Sequence, residues 1–516
     1  MKKFLFSLTI LLACARVNVG FPLGNYTSLR NEILEYEQRM MIGANLTLND
    51  VESAANGILM KWKREELDNP RTFSPARSFL QARRDIEGSK VFELLRRMPK
   101  GAVLHAHDTA IVSGEYVFHN ITYRDDLYVC VVNDTVRLHF FRHPDEGCRW
   151  ELLKKVREDP LRRDEINGMI KRRLSMECDD PSSTYTDGNR AWSKFVDIFS
   201  FVGPIVTYRP VYEEHFLQAL KELHRDNVMY LELRSTLPRL YDFDGTDYKP
   251  EDVVALYESA TRRYLCDLEF IELLVRKVNT FLQHPDFLGV KLIYAPARSC
   301  THEQAQVYMK RMKELKRMYP KFVAGFDLVG QEDKGQTLEY FADTLRNEEE
   351  NDIKYFFHAG ETNWLGSSTD ENLVDAILLK TRRIGHGEIL YVLTRRMDIA
   401  IEINPISNQV LKLVDDLRNH AARVLFAEGY PLVVSNDDPG FWGATALSYD
   451  FYEAFMGLMS KHADLRSLKQ LAMNSLTYSS MDEEELEGAL KIWQNRWLAF
   501  VEDVNNSGIT TNELLQ

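Results

Sequence analysis

Chemistry is concentrated at four places in the sequence where an apolar run ends. Ala102-Val103-Leu104 leads into His105-Ala106-His107-Asp108, and Tyr355-Phe356-Phe357 into His358-Ala359-Gly360-Glu361. Arg383-Ile384 leads into Gly385-His386-Gly387, and Leu432-Val433-Val434 into Ser435-Asn436-Asp437-Asp438-Pro439. Residues two apart on a strand project to the same face, so His105 and His107 face one way together. With His358 and Asp437 they supply three neutral imidazoles and one carboxylate, a donor set of the borderline hardness that suits one zinc ion per chain. Such an ion brings the pKa of its water from about 15.7 to roughly 7 and so makes a hydroxide available at neutral pH. Glu361, three residues past His358, sits near the metal without ligating it. Shielded from water, its carboxyl keeps a proton and can donate it. His386, flanked by glycines that let backbone come close, is placed to orient the hydroxide or to take its proton.

Residues as far apart as His105 and Asp437 must converge, and the pattern of the intervening chain says how. Short apolar runs at 102–107, 228–234, 290–296, 323–329, 353–357, 383–385, 399–404 and 431–435 alternate, for the most part, with amphipathic helical stretches. That alternation predicts an α/β fold with parallel pairing. Eight units predict a closed (β/α)8 barrel of TIM type, in which catalytic groups collect at the carboxyl ends of the strands. Residues 21–99 read as an N-terminal helical arm, in which Val51, Ala54, Ala55, Ile58, Leu59 and Trp62 recur at three- and four-residue steps. Phe79, Ile86, Val91, Phe92 and Leu95 do the same before Pro99 and Gly101 stop the last helix. The arm either folds back on its own barrel or packs on a second subunit. A βα unit needs only about 30 residues, yet the second strand begins near Val228. Residues 115–185 therefore read as a small disulfide-stapled module inserted between two parts of the barrel, 100–114 and 186–510. Residues 451–504 are helical, with Trp493, Trp497, Phe500 and Val501 as their apolar face.

Apolar content of 45% with 27% charged residues is that of a globular chain rather than a disordered one. Residues 1–20 have the form of a secretory signal peptide, with Lys2 and Lys3 ahead of the apolar run from Phe4 to Ala13. That run is shorter than the roughly 20 residues a membrane span needs, and no later stretch is apolar enough to be an anchor. A secreted, extracellular protein is the expectation. Sequons at Asn25, Asn45, Asn120, Asn133 and Asn505 fit an exported glycoprotein. The formal net charge of −13 becomes about −15 once Lys2 and Lys3 leave, and so acidic a surface argues against nucleic acid as a partner. Basic clusters at Arg162-Arg163 and Lys171-Arg172-Arg173 read as solvated helix faces, with contact to a polyanion or a receptor as the other reading. Cys14 leaves with the leader. Cys130 and Cys148 are close in sequence within a segment rich in turns and sequons, and are expected to pair. Cys266 and Cys300 lie in apolar contexts and read as buried thiols, while the state of Cys178 stays open. No C-x-x-C occurs, which removes thiolate zinc sites.

Taken together, Met98-Pro99-Lys100-Gly101, the motif from His105 to Asp108, Gly325-Phe326-Asp327-Leu328-Val329-Gly330, and the stretches around His358, His386 and Asp437 resemble the adenosine deaminase family. The leader, the helical arm and the long insertion resemble its secreted branch, the adenosine deaminase-related growth factors. The resemblance implies that His105, His107, His358 and Asp437 bind zinc, that Glu361 protonates purine N1, and that His386 and Asp437 steer hydroxide onto C6 so that ammonia leaves. It also implies that Asp438 holds N7, that the backbone of Gly330 meets N3, and that Asp108 and Trp192 contact the ribose side. The arm would build a homodimer, and 115–185 would be a receptor-binding insertion. The reaction implied is hydrolysis of adenosine and 2'-deoxyadenosine to inosine and 2'-deoxyinosine. AMP is disfavoured, because the Asp108 carboxylate beside the ribose 5'-hydroxyl would repel a phosphate.

Two other readings compete. An extracellular growth-factor-like signalling or binding protein on a deaminase scaffold would not need every catalytic group, and another barrel amidohydrolase would not need ribose contacts. A cytidine-deaminase site is excluded because its paired H-x-E and P-C-x-x-C signature is absent. A phosphate-binding loop is excluded because the stretch from Gly330 to Thr337 has the glycine spacing without the lysine.

Overall fold

The apolar runs fold into eight parallel strands: β1 (Gly101–His107), β2 (Val228–Ser235), β3 (Gly289–Tyr294), β4 (Val323–Phe326), β5 (His358–Ala359), β6 (Arg383–His386), β7 (Ala400–Ile403) and β8 (Leu432–Val434). The structure is a computed structural model describing residues 23–69, 73–276, 287–346, 352–387 and 391–513, so the expected leader lies outside the described residues. Nearly every strand residue is buried, as strands covered on both faces require. β1 to β4 pair in order in one sheet and β5 to β8 in another. Bridges from Ala106 to Asp437 and from Phe326 to Tyr355 join the two sheets into the expected (β/α)8 barrel. At the first seam His107 N donates to Asp437 O at 3.1 Å and Asp437 N donates to His105 O at 3.0 Å. Closing the barrel therefore sets the β1 histidines beside the β8 aspartate. The run at 353–357 meets β4 at the Phe326–Tyr355 bridge, where Phe326 N donates to Lys354 O at 2.9 Å and Phe356 N to Phe326 O at 3.0 Å, and its ladder with β6 begins at His358.

The arm comprises α1 (Leu23–Met40), α2 (Asp50–Leu67), α3 (Phe79–Ile86) and α4 (Lys90–Arg97). α2 opens with a capping box, Asn49 accepting from Glu52 N while the Glu52 carboxylate accepts from Asn49 N. Its buried face departs from the expected stripe: Ala55 and Leu59 are inside, but Val51 and Ala54 face solvent, and Glu52, Met60 and Lys63 complete the inner face. Polar partners cause the rotation. Glu52 accepts from Trp497 Nε1 at 2.7 Å, and Lys63 donates to the Ser460 and Ala463 carbonyls. α2 to α4 thus fold back on their own barrel, with Phe92 packing on Tyr449 and Tyr452. α1 instead exposes Tyr26, Leu29, Ile33 and Tyr36 along one face.

Within the insertion, Leu127–Val132 and Thr135–Phe140 form a hairpin with a short third strand, Glu151–Leu152. Asn133 and Asp134, both at positive φ, make its two-residue turn. The Cys130–Cys148 disulfide is present, with Cα atoms 6.3 Å apart. Three expectations need correction. Arg173 is not a solvated face residue: its side chain is 17% exposed, because it pairs with Asp197 and donates to Val136 O. Cys266 is exposed rather than buried, since it lies opposite the inner face of the helix Pro250–Arg276 formed by Val253, Tyr257, Ala260 and Tyr264, whereas Cys300 is buried and Cys178 half-buried. Asn25, Asn45, Asn120 and Asn133 are exposed, but Asn505 is half-buried and its Nδ2, the atom a glycan needs, donates to Val51 O at 2.9 Å. Among the described residues, no helix is long and apolar enough to cross a membrane.

Candidate active site

Beneath the histidines lies a buried ion network. Arg234 of β2 donates Nε to Asp327, Nη2 to Glu402 and Nη1 to the Leu104 carbonyl, each at 2.8 Å. Arg383 of β6 bonds Glu402 and Glu232, each at 2.6 Å. Losing one partner of a buried pair costs about 3–5 kcal/mol, so each member holds the others in place. Burial alone would raise these carboxyls. Arg234 and Arg383 with His105 hold Glu402 below the usual range, and His358 with Arg234 does the same for Asp327. The two carboxylates then reach upward, Glu402 to His105 Nδ1 and Asp327 to His358 Nδ1, each at 2.7 Å. Bonding to a carboxylate fixes the proton on Nδ1 and leaves Nε2 as a lone pair available to a cation.

His105 Nε2 and His107 Nε2 lie 3.3 and 3.1 Å from the same oxygen, Asp437 Oδ1. A tetrahedral zinc site with bonds of about 2.0–2.1 Å keeps its donors about 3.3 Å apart, so these separations are edges of such a site. Despite the short distance the atoms are not hydrogen-bonded: among the described residues, His105 Nε2, His386 Nε2 and Asp437 Oδ1 are buried polar atoms without a hydrogen-bond partner. Buried polar atoms left so are rare and costly, and a cation would satisfy them. Donor atoms of His105, His358, His386 and Asp437 all lie within 4.8 Å of one another, and His107, Asp437 and Asp438 form an overlapping group. The residues present fit a metal ion. His386 joins this group, with Nε2 3.6 Å from Glu361 Oε1 and 3.8 Å from Asp437 Oδ2.

His386 (φ 68°) and Asp437 (φ 57°) both adopt left-handed backbone, which costs a non-glycine residue about 1–3 kcal/mol and persists only where the surroundings enforce it. Ser407 Oγ donates to Asp437 Oδ2 at 2.7 Å, and the Asn408 carboxamide meets His386 Nδ1 at 3.1 Å. Gly385 makes room beneath them, since a Cβ there would stand 2.8 Å from His105 Cε1. Burial pushes His358 well below the usual imidazole range and His386 down to about 4, the Asp437 charge opposing in the second case. Burial and the Asp437 charge push the Asp438 carboxyl well up, whereas His105 and His107 hold Asp437 low in spite of burial.

Glu361 is buried, on a turn anchored by Glu332, which accepts from Gly360 N at 3.2 Å and Glu361 N at 3.3 Å and pairs with Arg298 at 3.2 Å. Asp108 Oδ2 accepts from the hydroxyls of Tyr212 (3.1 Å), Ser235 (2.5 Å) and Tyr257 (2.9 Å). Gly330 has φ +111°, and no atom lies within 4 Å of where a Cβ would be, so its backbone is approachable. Trp192 lies 5.2 Å from Phe195, which packs on Phe441 in the turn after Asp438. The structure thus gathers His105, His107, His358, Glu361, His386, Asp437 and Asp438, while Trp192 packs on Phe195, which in turn packs on Phe441. Sequence reasoning missed Glu232, Arg234, Asp327, Glu332, Arg383, Glu402, Ser407 and Asn408. The signal for several was present: charges at alternate positions of buried runs, as in Leu231-Glu232-Leu233-Arg234 and Ile401-Glu402-Ile403.

A closed parallel barrel that gathers imidazoles and carboxylates at its strand ends is the architecture of a barrel metallohydrolase. The family pattern described as Adenosine deaminase matches residues 175–491, and over 494 residues the chain is 41% identical to adenosine deaminase 2 of Sus scrofa, covering 92% of this chain and 94% of that protein. The chain belongs to the adenosine deaminase family, in its adenosine deaminase 2 branch. The pattern described as Adenosine/AMP deaminase N-terminal matches residues 10–95. An adenosine deaminase of Phlebotomus duboscqi is 42% identical, with 96% of this chain and 97% of that protein covered. The N6-methyl-AMP deaminase of Arabidopsis thaliana shares the fold at 18% identity, with a TM-score of 0.54 covering 78% of this chain and 98% of that one.

Proposed function

We propose that the chain is a secreted, zinc-dependent adenosine deaminase that hydrolyses adenosine and 2'-deoxyadenosine to inosine and 2'-deoxyinosine with release of ammonia. The observation that carries the reading is the approach of His105 Nε2 and His107 Nε2 to one Asp437 oxygen, at 3.3 and 3.1 Å, with a donor atom of His358 within 4.8 Å of those of His105 and Asp437. His105, His107, His358 and Asp437 would hold one Zn2+ per chain, and the bound ion supplies Lewis acidity and a water of lowered pKa. Glu361, beside His386, donates a proton to purine N1 and so makes C6 electrophilic. His386 Nε2 and Asp437 Oδ2 flank the approach to C6 and orient the attacking oxygen. Asp438, whose burial favours the protonated form, donates to N7, and the Gly330 amide serves N3. Asp108 accepts from the ribose 5'-hydroxyl, with Trp192 on the same side. The three hydroxyls that fix the Asp108 carboxylate support a positioning role, and its charge disfavours AMP.

The leader-like residues 1–20, the disulfide and the exposed asparagines Asn25, Asn45, Asn120 and Asn133 support export and glycosylation. The apolar stripe of α1 supports a homodimer through the arm, since a contiguous exposed apolar face marks an interaction site. The basic surface left on 115–185 supports contact with a receptor or polyanion. An ammonia-release assay across adenosine, deoxyadenosine, adenine, AMP and guanosine, with and without chelator, tests the reading. Turnover of adenosine that chelation abolishes and zinc restores is expected. Release confined to adenine, or indifferent to chelation, would overturn it.

A further inference from the structure

Asp108 stands half-buried just past the end of β1, with three hydroxyls behind it. Tyr212 lies in the first turn of the helix Arg209–Arg225 and Tyr257 near the start of the helix Pro250–Arg276. Their phenols meet Ser235, the last residue of β2, and all three side chains are buried. The Ser235 oxygen lies 2.5 Å from Asp108 Oδ2, the Tyr257 oxygen 2.9 Å and the Tyr212 oxygen 3.1 Å, while the two phenol oxygens stand 2.5 Å from each other.

The bonds of this carboxylate can be counted. A carboxylate oxygen has two lone-pair sites, and a hydroxyl has one proton. The phenols are closer to each other than either is to Asp108, so one donates to the other and the pair delivers one proton to Oδ2. Ser235 delivers the second, and Oδ2 is full. Among the described residues Oδ1 receives one side-chain bond, from Thr109 Oγ1 at 3.1 Å, and so keeps a single acceptor site. The backbone is held as well, with Asp108 N donating to Arg234 O at 3.0 Å. Burial alone does not call for so much. A half-exposed carboxylate can take its bonds from water, so three buried hydroxyls on one oxygen serve its direction. The chain next to Ser235 is constrained too: Ser235 Oγ accepts from Leu237 N at 3.0 Å, and Leu237 is held at φ 53°. Left-handed backbone is costly for a leucine and clusters where a site over-determines it.

We propose that Tyr212, Tyr257 and Ser235 are positioning residues that lock Asp108 through Oδ2, so that Oδ1 offers one acceptor to one substrate hydroxyl. That the hydroxyl is the ribose 5'-OH rests on the deaminase reading. The inference goes beyond that reading in making nucleoside affinity depend on three groups that stand behind the one touching the nucleoside.

The test compares adenosine with 5'-deoxyadenosine, which lacks the hydroxyl, on zinc-loaded enzyme. Ammonia release gives kcat and KM for wild type, for Tyr212→Phe/Tyr257→Phe and for Ser235→Ala, with zinc content and melting temperature read beside them. In each variant KM for adenosine should rise about three- to tenfold, part of the worth of a hydrogen bond to a charged group. Both kcat and the KM for 5'-deoxyadenosine should change by less than about twofold, so that the gap between the two substrates narrows. Added to Asp108→Ala, the same replacements should raise KM no further, because the group they position is gone. An unchanged KM for adenosine in either variant, a matching rise for 5'-deoxyadenosine, or a full further rise in the Asp108→Ala background overturns the proposal. Should the tyrosine double variant fail to fold, Ser235→Ala decides. Wild-type enzyme that releases no ammonia from adenosine defeats the deaminase reading and the proposal with it, whereas normal wild-type turnover with equal losses on the two substrates overturns the proposal alone.

Discussion

Gly385→Ala asks whether the glycine of β6 exists to seat the His105 ring. The added Cβ would stand 2.8 Å from His105 Cε1, 3.1 Å from Nδ1 and 3.5 Å from Glu402 Oε2. Ordinary carbon–carbon contact is about 3.5–4.0 Å, so the imidazole must retreat by about 0.7 Å or more. It has little freedom to do so. Nδ1 is held by Glu402 at 2.7 Å, and Glu402 is locked by Arg234 at 2.8 Å and Arg383 at 2.6 Å. The backbone at Gly385 is not left-handed, so alanine brings no strain of its own and the contact is the whole perturbation. Displacing a proposed metal ligand this way should resemble losing its outer-shell partner, about 10–100-fold in metal affinity or activity, or roughly 1.4–2.7 kcal/mol. Zinc affinity is read by competition with a chromogenic chelator, activity by ammonia release at saturating zinc, and integrity by thermal melting. Gly488→Ala is the control, since nothing lies within 4 Å of its Cβ position. Wild-type zinc affinity together with wild-type kcat in Gly385→Ala would refute the reasoning.

Glu361→Gln should abolish turnover while zinc stays bound near stoichiometry, because the group removed is the proposed proton donor and not a proposed ligand; near-wild-type rates would remove Glu361 from the mechanism. Asp108→Ala should raise the KM for adenosine about tenfold or more, the worth of a lost hydrogen bond to a charged group, and an unchanged KM would place the ribose elsewhere. Glu453→Gln should flatten the dependence of stability on pH. Glu453 is fully buried, burial pushes its carboxyl up to about 8, and the Arg77 charge opposes. Between the solution value of 4.5 and about 8 the folded chain keeps a proton that the unfolded chain gives up, so stability falls as pH rises through that window. The contribution is a few kcal/mol across that window. Equal changes in melting temperature between pH 5 and 8 for wild type and variant would reject it.

Much of this architecture is legible in the sequence because strands buried on both faces leave continuous apolar runs, and His105, His107, His358 and Asp437 interrupt those runs at their ends. Pattern fails where a charge is buried by a distant partner. The inner face of α2 includes Glu52 and Lys63 because Trp497 and the carbonyls of Ser460 and Ala463 meet them, and nothing local in the sequence announces those partners. Arg234, Arg383 and Glu402 fail for the same reason: a charge in mid-strand gains meaning only once the barrel closes and faces it with its complement. Asn505 shows the limit of a motif, since its triplet is intact while Val51 occupies its amide. Asn408 carries no spacing rule at all, and only three-dimensional adjacency brings it to His386.

Arg234 braces both Glu402 and Asp327, and these in turn orient His105 and His358. Two proposed ligands that share one keystone cannot drift independently, so a substitution at the barrel floor would alter both at once. Anyone redesigning the enzyme for a new substrate would do well to begin at the proposed contacts Asp108, Trp192 and Gly330 and leave the floor untouched.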